Sequence, residues 1–172
     1  MANTTKCGYV EHGFGQVEPN HLSAQRTAQI YAQLPMGVDM LENGQFAKYN
    51  YEAGVVNFAG ESEWMLVYNA VKIYRDEETE ADFVMVKPAG NAKAPIVGVS
   101  TDLVPRLFKT NVGDIFTTNA IKEDTVSVGD ILAPNAEGIL SAEGDTAAMK
   151  WQVVKTYTMP DGQKGVKLVR IA

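Results

Sequence analysis

The sequence predicts a mainly β fold, with an N-terminal extended arm that has at most a short helix, followed by small antiparallel β-barrel or sandwich units. Two observations support this prediction, and a third bears on what stabilises the fold. Runs of alternating apolar and polar residues, rich in β-branched and aromatic side chains, recur from residue 41 onward. Turn sequences that contain glycine separate these runs. The single cysteine, Cys7, excludes an intramolecular disulfide, so the hydrophobic core must hold the fold together.

Residues 1–40 differ from the rest of the chain. They hold too many large apolar groups for a solvated tail, yet they show no sustained alternation. The one helical candidate is NHLSAQRTAQIYAQLP, which Pro35 would stop. We interpret 1–40 as a docking arm that becomes ordered on a partner; the alternative is that it packs across its own domain. The residues predicted to make the contact, because they lack an obvious partner in the chain, are Tyr9, Val10, Phe14, Ile30, Tyr31 and Leu34.

Residues 41–95 are predicted to form a β subdomain. LENGQFAKYNYEAGVVNF offers an Asn43-Gly44 turn followed by alternation, and the runs WMLVYNAVKIY and DFVMVK favour strands. Between them RDEETEAD carries five carboxylates, which predicts a solvated hairpin tip. A calcium loop is the alternative, although the EF-hand spacing and its central glycine are missing. KPAGNAKAP, at 87–95, is either a linker or a long loop within one sheet system.

Residues 96–172 are predicted to form a small β-barrel subdomain; the alternative is that 41–172 is one domain. The stretch that runs from MKWQVVKTYT through PDGQKG to VKLVRI predicts a hairpin, because two alternating runs flank a turn sequence. In its second strand, one face is expected to be buried, and Lys167 and Arg170 to point away from it or snorkel. The residues of the buried face are Val166, Leu168, Val169 and Ile171.

A phrase is repeated within this part of the chain: NVGDIFTTN at 111–119 and SVGDILAPN at 127–135, sixteen residues apart. Glycine permits the positive φ of a tight turn, and aspartate can cap nearby backbone N–H groups. We interpret the repeat as two structural turns at which strands begin, with the valine and the isoleucine anchored in the core. The turn residues are Gly113, Asp114, Gly129 and Asp130. The functional alternative is that the two aspartates converge as a carboxylate pair for a metal ion or for acid–base chemistry.

No catalytic, cofactor-binding or metal-binding motif is recognisable. The two histidines, His12 and His21, lie in the irregular arm, and with Cys7 they fit no familiar zinc spacing. The formal charge of −6 disfavours a nucleic-acid partner. No apolar run approaches the roughly 20 residues that cross a bilayer, and the first residues do not resemble a signal peptide. We therefore expect a non-enzymatic protein, made in a cytoplasm, with no cofactor, metal or membrane partner.

The order of these segments resembles the virion structural proteins of tailed bacteriophages, in particular the capsid decoration proteins, also called cement or auxiliary proteins. The resemblance covers residues 41–172, from LENGQFAKYNYEAGVVNF and LVYNAVKIYRDEE to the small barrel that holds VGDIFTTNAIKEDTVSVGDIL. It implies an all-β protein of the virion exterior that stabilises contacts between subunits of the major capsid protein, with copies of itself as further partners. The alternatives are another virion component (a head fibre, tail or connector protein) or a carbohydrate-binding β module with exposed aromatic residues.

Overall fold

The computed structural model describes residues 17–38, 40–69, 72–74, 85–87, 91–93, 104–158 and 164–172, of which 40, 72–74, 85–87 and 91–93 are described as backbone only. The fold is mainly β, which confirms the predicted class: a curled half-barrel sheet is joined by a second sheet. Helical structure in these ranges is limited to α1, Ala24–Thr27. No helix within them is long and apolar enough to span a membrane.

The strands form two larger sheets. In chain order the strands are β1 (Val17–His21), β2 (Ile30–Tyr31), β3 (Met40–Glu42), β4 (Phe46–Asn50), β5 (Val55–Asn57), β6 (Met65–Val67), β7 (Lys72–Tyr74), β8 (Met85–Lys87), β9 (Asn91–Lys93), β10 (Leu107–Phe108), β11 (Ile115–Thr118), β12 (Ile131–Pro134), β13 (Leu140–Ser141), β14 (Trp151–Thr158) and β15 (Lys164–Arg170). A six-stranded sheet has the order β1-β11-β15-β14-β12-β13, and a five-stranded sheet has the order β2-β10-β6-β4-β5. The pairs β3–β9 and β7–β8 are separate ladders.

The two larger sheets share one hydrophobic cluster, which we call the main cluster. The six-stranded sheet contributes Phe116 and Trp151, whose ring centroids are 4.8 Å apart, and the five-stranded sheet contributes Phe46, whose ring centroid is 5.7 Å from that of Trp151. Aromatic side chains contribute much of the apolar area that such a core buries. Phe46 precedes the predicted subdomain boundary at 95/96 and Trp151 follows it, so the described parts of both predicted subdomains share a core. The boundary itself lies outside the described residues.

The five-stranded sheet is buried on its second face as well. Because side chains alternate along a strand, Met65 and Leu107 point away from the main cluster and form a second cluster. The segment 31–38 covers this second cluster, through the half-buried side chains of Tyr31, Leu34, Met36 and Val38. The Gly37 N–H also donates to the Val56 carbonyl at 2.8 Å, which closes the β5 edge of the sheet.

Residues 17–31 belong to the chain's own sheets. β1 pairs antiparallel with β11, and β2 pairs antiparallel with β10. Between these strands, Leu22 and Ala24 are buried in the main cluster. The helical candidate forms only one turn and ends at Ala28, which has a left-handed φ of 56°. The helix stops there because the residues that follow pair with β10 instead of continuing the turn.

Candidate interaction surface

The predicted arm contacts divide into two groups. Tyr9, Val10 and Phe14 lie outside the described residues. Ile30 packs against the main cluster, whereas Tyr31 and Leu34 pack against the second cluster. The prediction that these three residues contact a partner rests on their having no contacts within the chain. That reason is therefore wrong. The sequence did not reveal these contacts, because β10, the strand that pairs with β2, lies more than seventy residues later in the chain. Their contact with a partner stays a prediction.

The two repeated phrases form the same turn. The Asp114 N–H donates to the Asn111 carbonyl at 3.0 Å, and the Asn111 N–H donates back to Oδ2 of Asp114 at 2.9 Å. Asp130 and Ser127 repeat both bonds, at 3.1 and 2.8 Å. The glycines between them have φ of 94° and 100°, a region that favours glycine over other residues.

An approximate two-fold axis relates these turns within the six-stranded sheet. The glycine N–H of each turn donates to a carbonyl of the β14–β15 hairpin, at 2.8 Å in both cases. The isoleucine that follows each turn also pairs with the hairpin: Ile115 lies opposite Val169, and Ile131 lies opposite Gln152. Val169 and Gln152 are themselves cross-strand partners. The two repeated phrases therefore begin two equivalent strands, β11 and β12, which flank the central hairpin of β14 and β15.

The valines of the repeat do not anchor the turns in the core. Val112 is 68% exposed and Val128 is 66% exposed, because each is the second residue of its turn and stands at the outer corner. Ile115 and Ile131 are half-buried. The expectation that the valine and the isoleucine of each phrase are anchored in the core is thus wrong: the valines are exposed, and the half-buried isoleucines belong to neither hydrophobic cluster.

The two aspartates differ in what they hold. Asp114 is buried, and its carboxylate accepts hydrogen bonds from the backbone N–H and the hydroxyl of Ser23, each at 2.9 Å. Asp130 is exposed. Because β15 and β14 separate the strands that follow the two turns, those strands lie roughly 14 Å apart. The aspartates therefore do not converge as a carboxylate pair, and the described residues contain no group of three or more metal-ligating side chains.

The six-stranded sheet has an outer face, opposite the main cluster, that is partly exposed. Leu168 and Phe116 point inward, so alternation directs their neighbours Val169 and Ile115 outward, where both are half-buried. Val169 and Ile171 thus lie on the face opposite Leu168, and the prediction that they share its buried face is wrong. Val166 does share that face, as predicted. We define the outer face by Ile115, Ile131, Gln152, Val154, Lys155, Lys167, Val169 and Ile171.

A β-bulge shapes the outer face. The register shifts from Val153 opposite Leu168 to Lys155 opposite Lys167, which leaves Val154 as the extra residue. Val154 is 39% exposed. Lys155 and Lys167 are direct cross-strand neighbours, and the ion pairs that the described part of the chain shows involve other lysines.

A polar cluster lies beside these lysines and ties β1 to the hairpin. The Tyr157 hydroxyl donates to Oε2 of Glu18 at 2.5 Å, and the Thr117 hydroxyl donates to Oδ1 of Asn20 at 2.8 Å. Burial, and then the hydrogen bond to Glu18, raise the pKa of Tyr157. The Lys155 ammonium lies 5.7 Å from the centre of the Tyr157 ring. The cluster's polar groups bond to one another, so its evident role is to fasten strands together.

The tryptophans form no exposed platform for a sugar. Trp151 is fully buried, and Trp64, which is 7% exposed, has the Lys48 ammonium 4.5 Å from the centre of its ring. Tyr51 is the strongly exposed aromatic side chain of the described residues, at 72% exposure, and its ring packs 5.7 Å from that of Tyr49. The aromatic surface required of a carbohydrate-binding module is therefore limited to the region of Tyr51 in this part of the chain.

Sequence reasoning missed the outer face of the six-stranded sheet. A signal was present, because the adjacent valines in WQVVKTYT interrupt the alternation in the way that a bulge requires. The pairing of Lys155 with Lys167 could not be found without the register of the hairpin. In comparisons with known proteins, no family model, no curated protein and no solved structure matches the chain.

Proposed function

We propose that the protein is a non-enzymatic virion structural protein that binds the outside of an assembled phage capsid and stabilises contacts between subunits of the major capsid protein. The structural observation that supports binding through a surface is the position of β1. β1 is the outermost strand of the six-stranded sheet, and among the described residues no strand pairs with its second edge. Such an edge offers backbone N–H and C=O groups to an added strand. The choice of a capsid as the partner rests on the sequence resemblance.

β1 is firmly fixed to the scaffold, which suits it to carry a partner. The Glu18–Tyr157 hydrogen bond fastens its beginning to the hairpin, and the Ser23–Asp114 hydrogen bonds hold the chain just after its end. Pro19 lacks a backbone N–H, so it interrupts the donors that the strand can offer. A strand added here would lie on a support that needs little reordering.

The proposed mechanism is thermodynamic linkage. A protein that binds only the assembled shell raises the free energy needed to take the shell apart. Copies on a symmetric lattice act together, so that each contact can be modest. Tyr9, Val10 and Phe14, which precede β1 in the chain, are the proposed apolar contacts with the capsid.

The test is calorimetry of purified phage shells, with and without the chain, combined with hydrogen–deuterium exchange. We expect the shells to melt at a higher temperature with the chain bound, and the β1 amides at the edge away from β11 to gain protection. Tyr9→Ser combined with Phe14→Ser should weaken binding, whereas the control Tyr51→Ser, at an exposed site elsewhere, should not. Shells that melt unchanged in the presence of excess chain would contradict the proposal. Binding to purified fibres, tails or connectors instead would support the alternative of another virion component.

The second candidate function is carbohydrate binding, and the exposed side chain of Tyr51 supports it. An exposed aromatic ring that packs on a buried one can stack on a sugar. Titration against a panel of glycans tests this candidate, with the expectation that Tyr51→Ala abolishes any binding that the native chain shows. Sugar binding that survives this substitution would place the site elsewhere.

A further inference from the structure

A small cavity is lined by residues from both of the larger sheets. The five-stranded sheet contributes Lys48 of β4 and Trp64, which directly precedes β6. The six-stranded sheet contributes Arg170 of β15 and Met149, which precedes β14. The volume of the cavity is about 240 Å³, below the roughly 300–1,000 Å³ of sites that hold drug-sized ligands. A molecule that fits this cavity is therefore small.

Two of the lining side chains are apolar and belong to the core. Trp64 is 7% exposed and Met149 is 2% exposed, and both are members of the main cluster. An indole ring and a thioether pack favourably against hydrocarbon groups. We therefore expect a ligand of this cavity to carry an apolar group.

Two side chains of opposite charge line the same cavity without pairing with each other. The half-buried Lys48 and the exposed Glu61 both border it, yet neither takes part in the ion pairs of the described residues. The Lys48 ammonium lies over the Trp64 ring, which attracts a cation but does not neutralise its charge. A cation and a carboxylate are thus both available to a ligand.

The other charged groups of the cavity are already engaged. The Glu63 carboxylate forms an ion pair with the Lys109 ammonium at 2.8 Å. The Arg170 guanidinium donates to the carbonyl and the hydroxyl of Thr110 and to the Ala172 carbonyl. These contacts fix the walls, so the unpaired cation and the unpaired carboxylate decide which charges a ligand must carry.

We infer that the cavity binds a free amino acid with an apolar side chain. The carboxylate of the ligand accepts from the Lys48 ammonium, the ammonium of the ligand donates to the Glu61 carboxylate, and the apolar group packs against Trp64 and Met149. A carboxylic acid without the amine would place two anions together at Glu61, and an amine without the carboxylate would leave Lys48 unpaired. No residue of β1 lines the cavity, so this binding is independent of the proposed capsid binding.

The test is titration calorimetry of the full chain with free alanine, leucine and phenylalanine. We expect at least one of them to bind with a Kd of about 1 mM or lower. The deaminated acid and the decarboxylated amine of that amino acid keep its apolar group, and each should bind at least about tenfold more weakly because it loses one charge-assisted hydrogen bond. No binding of any of the three amino acids up to about 10 mM, or equally tight binding of the acid or the amine, would overturn the inference.

Two substitutions assign the charge contacts. Lys48→Met should bind the amino acid no more tightly than the amine, and Glu61→Gln should bind it no more tightly than the acid, because each variant loses the partner of one ligand charge. The matched controls are Lys155→Met and Glu137→Gln, at exposed sites outside the cavity, and they should bind like the native chain. A variant at Lys48 or Glu61 that keeps the native preference would also overturn the inference. Because Glu61 is exposed, Glu61→Gln provides this test without a change in the core.

Discussion

Two aspartates in equivalent turns provide a matched experiment at the scale of single residues. Asp114→Ala removes a buried carboxylate that accepts three hydrogen bonds, two from Ser23 and one from Asn111. Asp130→Ala removes an exposed carboxylate that accepts a bond from Ser127. We expect losses in the free energy of unfolding of about 2–3 kcal/mol for Asp114→Ala and about 0.5–1 kcal/mol for Asp130→Ala, measured by urea denaturation. Equal losses would show that Asp114 does not hold the N-terminal segment.

The glycines with positive φ also differ in how close the neighbouring atoms would lie to an added Cβ. A Cβ at Gly113, where φ is 94°, meets no atom within 4 Å, so Gly113→Ala carries only the backbone strain of about 1–2 kcal/mol. At Gly138, where φ is 70°, the added Cβ would collide with the Phe46 carbonyl oxygen. Gly138→Ala should therefore cost about 3 kcal/mol or more, because overpacking adds to the strain. Urea denaturation of the two variants measures the difference, and a Gly138→Ala chain as stable as Gly113→Ala would contradict the packing described around Phe46.

Tyr157 makes the free energy of unfolding depend on pH in the alkaline range. Its folded-state pKa is raised, chiefly by burial and then by the hydrogen bond to Glu18, so the protonated hydroxyl favours the folded state. This contribution is complete below the unfolded-state pKa of about 10 and is lost as pH rises through the folded-state pKa. We expect the free energy of unfolding to fall less steeply above pH 10 for Tyr157→Phe than for the native chain, in urea titrations across that range. Glu18→Gln, which removes the neighbouring charge, should also reduce the slope; identical slopes in all three chains would exclude this role.

At the scale of elements, the segment from β1 to β2 decides whether the N-terminal part is an arm or part of the core. Leu22 is 2% exposed in the main cluster, so Leu22→Ala should cost about 2–4 kcal/mol in the free energy of unfolding. Leu34→Ala, at a half-buried site over the second cluster, serves as the milder comparison and should cost about 1 kcal/mol. Hydrogen–deuterium exchange of the free chain provides the second measurement, with protected amides expected in β1. Rapid exchange throughout 17–31 would contradict the packing of this segment.

The sequence predicts individual strands and turns better than it predicts which strands pair with each other. The β14–β15 hairpin and the two glycine turns follow from short-range rules, because alternation and turn residues act within a few positions. The pairing of β1 with β11 joins residues about a hundred positions apart, and no local pattern encodes it. For the same reason, no local pattern shows that Ile30, Tyr31 and Leu34 pack against the chain's own clusters. The inversion of Val169 and Ile171 to the outer face required the register of the sheet.

At the scale of the whole molecule, the shared main cluster predicts a single cooperative unfolding transition. Trp64 and Trp151 belong to that cluster but lie on opposite sides of the predicted subdomain boundary. We expect Trp64→Phe and Trp151→Phe, each of which leaves one fluorescent reporter, to show a fluorescence midpoint that coincides with the circular dichroism midpoint of the same variant. Two separated transitions in either variant would mean that the sheets unfold independently.

The candidate surfaces could be predicted only in part at this scale. The exposed acidic and lysine residues are visible in composition, but their grouping on faces depends on the strand order, which places four strands between β1 and β13. The two-fold relation of the repeat was hidden because each copy pairs with a different strand of the hairpin, and not with the other copy. Lys155 and Lys167 come together only through the register of the hairpin.

The antiparallel ladder between β1 and β11 also sets how the protein yields to mechanical force. Tension applied through the chain before Val17 pulls first on the pair with Thr118 and reaches the pair of His21 with Ile115 last. The ladder therefore opens like a zipper, one rung after another, and its resistance at any moment is that of a single rung. After the last pair has separated, the force acts on the hydrogen bonds of Ser23 to the buried Asp114, which resist further opening.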